Sequence, residues 1–236
     1  MTAAHWPKSY KTTDNLNGSW YKDTHLGKRS QNGDAVIRQL ASVHDQYRTF
    51  CDNFVDAFQN PDPTDTDAGH FIKMREMAFK KVESACDANN RAIEVAEAEI
   101  RACQAAMRST LEMVENYRAA EIRGYLRELP KVERADVLAV AIKNKDAATI
   151  AAVVDAPGYL SGHTEEQRTL YRTRYEREHN PQLAARMDDL NQALAINKAA
   201  KMDLPEFVDS IVPFKKYTKL KKEQEAAKAR RDAISV

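Results

Sequence analysis

Apolar residues recur at every seventh position through the middle of the chain: Ile72, Phe79, Cys86, Ile93, Ile100, Met107 and Val114, with no proline among them. Seven residues fall slightly short of two ideal helical turns, so such a stripe stays on its partner only if the helices wrap left-handedly. The pattern predicts a helix from about residue 67 to 128, which would reach about 90 Å if unbroken. Three residues after members of the series stand Val82, Asn89, Ala96, Cys103, Thr110 and Tyr117. Most are small or weakly polar, which allows close packing and gives Asn89 a register-setting role.

A second run, Val36, Ile37, Leu40, Val43, Tyr47, Phe50, Phe54, Val55 and Phe58, follows Asp34 at helical spacing. Asp34 can cap that helix, and Pro61 and Pro63 end it and let the chain reverse into a hairpin. The first helix covers only part of the second, so the rest needs the C-terminal helices, another copy or another protein.

Further along, Pro130 and Pro181 suit first helical turns, Asp146 and Thr164 suit caps, and Gly158 and Gly162 supply a bend. Helices are expected near 131–144, 146–154, 165–178 and 181–200, with a loop at 157–164. Leu138, Ile142, Ile150, Val153 and Val154 should meet Leu170, Leu183, Met187, Leu190 and Leu194 in a small core. Pro205 and Pro213 then introduce a last amphipathic stretch. The predicted fold is all-α: an extended N-terminal arm (1–33), a long coiled-coil-like helical hairpin (34–129), a small helical bundle (130–203) and an amphipathic basic tail (204–236).

The arm lacks helical periodicity, yet it interleaves Trp6, Tyr10, Trp20 and Tyr21 with Lys8, Lys11, Lys22, Lys28 and Arg29. Purely disordered tails are poor in Trp and Tyr, so this arm is expected to order on a partner.

Composition sharpens the picture without changing it. Only seven glycines in 236 residues suit an extended helical protein, and a formal charge of +1 gives no global drive toward nucleic acid or membrane. Cys51, Cys86 and Cys103 all fall in predicted helices and are expected to be reduced. No secretory signal opens the chain, and the longest apolar run, Val137 to Ile142, is far below the roughly 20 residues that a membrane helix needs. The protein is therefore expected to be made inside the cell and to touch no membrane.

Candidate chemistry is sparse. Lys215, Lys216, Lys219, Lys221, Lys222, Lys228, Arg230 and Arg231 could meet phosphates, but Glu223 and Glu225 dilute them and a solvated helix face is the default. Glu176 and His179 form one Glu-x-x-His pair where a carboxylate-bridged metal bundle needs two, beside Arg172, Arg174 and Arg177. No phosphate loop, zinc-protease helix or serine elbow occurs. No enzyme activity, cofactor or metal is expected.

From Ala141 to Leu194 the chain carries an Asp155 to Pro157 turn, a Leu160 to Gly162 loop, an Arg/Tyr/Glu-rich helix over Tyr171 to His179 and a helix started by Pro181. This stretch, under a quarter of the chain, resembles a helical region common in uncharacterised proteins of tailed phages and prophages. The resemblance implies a virion component made in the host cytoplasm, and brings no catalytic residues with it.

The resulting expectation is a structural or assembly protein that binds protein partners, further copies of itself or other virion proteins. Ile72, Phe79, Ile93, Ile100, Met107 and Val114 would form its helical seam, and Trp6, Tyr10, Trp20 and Tyr21 its anchor. The alternatives are a packaging or ejection factor that binds nucleic acid through the basic ends, and an adaptor for a host enzyme.

Overall fold

The computed structural model describes residues 14–16, 24–112 and 118–234. Every regular element among them is helical, as predicted. After a single 3-10 turn at Asp14–Leu16 come α1 (His25–Gln31), α2 (Ala35–Gln59), α3 (Asp67–Glu112), α4 (Ala119–Glu128), α5 (Lys131–Lys143), α6 (Ala147–Val154), α7 (Gly158–Ser161), α8 (Glu165–His179), α9 (Pro181–Ile211) and α10 (Phe214–Ile234). The chain forms two compact units, one of residues up to 96 with 191 onward and one of residues 97–190. This partition differs from the expected boundaries near 129 and 203, because α3 and α9 each contribute to both units.

In the first unit α2 and α3 form the expected hairpin. Asp34 caps α2 through its carboxylate, which accepts from the amides of Val36 and Ile37 at 3.2 Å each. Phe58 meets Phe71 edge to face at 6.3 Å, and the Tyr47 hydroxyl donates to the Ala85 carbonyl at 3.3 Å, which sets the antiparallel register. The third member is α9. Asn89 on α3 donates to the Asn197 carbonyl at 3.0 Å, and the Asn197 side chain donates to the Leu40 carbonyl at 2.9 Å. Asn89 thus fixes register as anticipated, but within one chain. Farther along, Arg75 bonds Asp209 and the Val212 carbonyl, both at 2.7 Å.

The helix that was expected to end near residue 200 runs on to Ile211 through Pro205. An internal proline forfeits one backbone bond, but Leu204, Phe207, Val208 and Ile211 continue the buried stripe of Ala193, Leu194, Ile196 and Ala200. Packing overrides the local signal.

The seam also finds its cover inside the chain. Ile72, Ile93, Ile100 and Met107 are buried, whereas Phe79 is 65 % exposed and Cys86 is half-buried. The first four are therefore not free to form an intermolecular stripe, which corrects the expected use of the seam; Val114 lies outside the described residues.

The arm needs a similar correction. Residues 25–31 are helical, with Leu26 fully buried. Leu16 is fully buried as well, Asn15 donates to Asp203 at 2.9 Å, and the Asn15 carbonyl accepts from His44 Nε2 at 2.8 Å. Trp6, Tyr10, Trp20 and Tyr21 lie outside the described residues.

In the second unit the predicted caps are realised, while Pro130 stands at the N-cap of α5 rather than in its first turn and the expected loop at 157–164 carries the single turn α7. Asp146 caps α6, and Thr164 and Gln167 form a reciprocal capping box on α8. Gly162 ends α7 in the left-handed region at φ 70°, and a Cβ on Gly158 would lie 2.7 Å from the His163 carbonyl oxygen. Leu138, Ile142, Ile150, Val153 and Val154 form the core with Leu111, Leu126 and Tyr175. Leu170, expected in that core, is 62 % exposed; Tyr175 takes the inward place on α8.

Candidate docking surface

The α2/α3 hairpin has two faces of different fate. One is closed by α9 through the Asn89 and Asn197 bonds, and the other carries an open groove of about 720 Å³. Phe50 and Phe54, stacked at 5.5 Å, enter it from α2, and Met74, Met77 and Ala78 from α3. Ala57, Ala85 and Ala88 line it too, and their short side chains leave the trough between the helices unfilled. Met77 is 54 % exposed although it is large and apolar. The lining residues run from 46 to 57 on α2 and from 74 to 91 on α3, or about 17 Å and about 26 Å of helix.

The polar rim is one-sided. Lys80, Lys81 and Arg91 line the groove together with Gln46, Thr49, Asn53 and Ser84, and no carboxylate does. The sequence pattern placed Phe50 and Phe54 on an apolar helix face but did not reveal the groove, because the apolar positions of its α3 wall are offset by two, five and six from the heptad series. The available signal was the second spacing 74, 77, 78, 81, 85, 88.

Phe79, a predicted partner-binding residue, lies outside this groove in a smaller notch of about 400 Å³ with Arg75, Phe214 and Tyr217. Phe214 is 57 % exposed, and the Arg75 guanidinium sits 5.5 Å from its ring centre. Arg75 is held there by Asp209, so the notch is built on a fixed base.

The basic tail is partly spent on the fold. Lys221 bonds Glu76 at 2.5 Å, which holds the Glu76 carboxyl below its ordinary range and raises the lysine. The Lys216 ammonium lies 4.6 Å from the Phe71 ring centre. Ile72 and Lys221 line one concavity, so seam and tail meet at the start of α3. Lys215, Lys219 and Lys222 are exposed along one face of α10, and Lys228, Arg230 and Arg231 are exposed further along it.

Groups with reactive potential serve the fold. Burial pushes the Cys51 thiol up to about 12 and raises Cys86 and Tyr47. His179 Nε2 lies 3.1 Å from the Ile142 carbonyl oxygen, with its ring 4.0 Å from that of Tyr175, so it is committed away from any pairing with Glu176. Arg134 donates to the Arg127, Leu129 and Gly162 carbonyls, Arg168 to those of Val154 and Ala156, and Arg177 grips Asp188 with two bonds. Among the described residues no group of three or more His, Cys, Asp or Glu could hold a metal, and no helix is long and apolar enough to cross a membrane. Comparison with known proteins finds no matching family model, no similar curated protein and no similar solved structure.

Proposed function

We propose that this protein is a structural or assembly component that works by holding a partner's helix, and that the groove between α2 and α3 is where it does so. The observation that carries the reading is the unequal treatment of the hairpin's two faces. One is sealed by α9, while the other leaves Met77 half in solvent above a trough floored by Phe54 and Ala78, 5 % and 0 % exposed. Exposed large side chains over a preformed apolar trough are what a partner helix needs as anchors. The energy of such binding comes from buried area and shape, and asks for no chemistry.

The resemblance of residues 141–194 to tailed-phage and prophage proteins supplies the setting, a particle component made in the host cytoplasm. Co-purification with intact particles at a fixed copy number tests the whole reading. Met77→Asp, which places a charge at an exposed anchor, is expected to abolish incorporation while leaving helix content and thermal midpoint unchanged. Undiminished incorporation of a folded Met77→Asp chain would remove the groove from the assembly.

A further inference from the structure

The groove's rim narrows the choice of occupant. Lys80, Lys81 and Arg91 stand along its α3 side, all exposed; Lys80 also attracts Glu76, which lies outside the groove lining, so Lys81 and Arg91 are the less committed pair. With no carboxylate in the lining, the trough has an apolar floor and a positive border. We infer that the occupant is an amphipathic helix from a different protein, with an apolar stripe flanked by Asp or Glu. This rests on the docking reading above and adds the chemistry of the partner.

Two other occupants fit less well. A second copy seated symmetrically would bring a patch that carries the same Lys80, Lys81 and Arg91 and no carboxylate, so two positive surfaces would meet with no opposite charge between them. The chain's own first thirteen residues carry Lys8 and Lys11 and no carboxylate, so they bring like charge to a positive rim. A negatively flanked helix turns the same rim into a source of specificity, because opposite charges around an apolar strip select orientation and reject wrong partners.

Two labelled synthetic helices of about 20 residues, about 30 Å long, provide the test. Both carry one leucine stripe, flanked in one peptide by Glu and in the other by Lys, and each is titrated with the full chain by fluorescence anisotropy. The Glu-flanked helix is expected to bind about tenfold tighter, the product of three exposed charge pairs each contributing a factor of a few, and the gap should narrow at high salt. The triple variant Lys80→Glu, Lys81→Glu, Arg91→Glu should reverse the preference; all three positions are exposed, so its fold can be verified by circular dichroism. Met77→Asp should abolish binding of both peptides.

Equal affinity for both helices, lost in Met77→Asp, would overturn the acidic partner and leave the docking reading standing. Binding that Met77→Asp does not weaken, or no binding of either peptide, would overturn the inference and count against the groove itself. An oligomer in light scattering that Met77→Asp dissolves would assign the groove to a second copy and overturn the inference equally.

Discussion

His44 donates from Nε2 to the Asn15 carbonyl while 1 % of its surface reaches solvent. A carbonyl can only accept, so that nitrogen carries the proton and the neutral ring satisfies the bond. Burial drives the pKa of His44 below its ordinary 6.5, outweighing the upward pull of the Asn15 carbonyl and of Asp45, and Arg48 adds to the lowering. His163, bonded to the Ser161 carbonyl, is lowered for the same first reason. Below 6.5 the unfolded chain takes up protons that the folded chain still refuses, so stability is fully present above that value and is lost as pH falls. The urea midpoint should hold steady above about pH 7 and decline toward about pH 5. His44→Gln, which keeps a donor for Asn15, should flatten that decline in part; an unchanged pH profile would show that His44 does not titrate with unfolding. Asn197 makes the complementary case of a neutral buried group. Its side chain joins α2 to α9 from a position 1 % exposed, so Asn197→Ala should cost about 2 kcal/mol in urea denaturation.

Elements show where periodicity is informative and where it stops. Helix ends marked by Asp34, Asp146, Thr164 and Pro181 were legible because a cap or a fixed φ acts on its own neighbours. The heptad series was legible as a buried stripe but not as to who buries it, since a seam looks alike whether its partner lies within the chain or outside it. Pro205 misled because the stripe around it was worth more than one backbone bond. The α1 segment was missed because it offers only Leu26 as a fully buried anchor in seven residues. Two members of the series separate the possibilities experimentally. Ile93→Asp puts a carboxylate at a site 9 % exposed and should cost more than about 3 kcal/mol, seen as lost helix content or a collapsed thermal midpoint. Phe79→Asp, fourteen residues earlier on the same stripe at 65 % exposure, should change stability by less than about 0.5 kcal/mol. Equal effects would mean that the stripe is used uniformly, as an intermolecular seam would use it.

For the whole molecule, the decisive question is what remains available for association once the chain has satisfied itself. A net charge of +1 provides neither strong self-repulsion nor long-range attraction, so contacts must be made locally. The buried seam residues Ile72, Ile93, Ile100 and Met107 keep no more than 9 % exposure each, too little area for a homotypic coiled coil to bury. Among the described residues the apolar surfaces that stay open include the groove with its positive border and the small notch at Phe79 and Phe214, and two grooves face to face would set like charge against like. The chain alone should therefore scatter as a monomer of 26.7 kDa, unchanged when concentration is raised a hundredfold, and should gain mass only when an acidic amphipathic helix is supplied. A mass that climbs with concentration in the absence of any partner would show that copies find one another through surfaces other than the seam. In that case Met77→Asp and Phe79→Asp, measured side by side, would show whether the groove or the notch joins them.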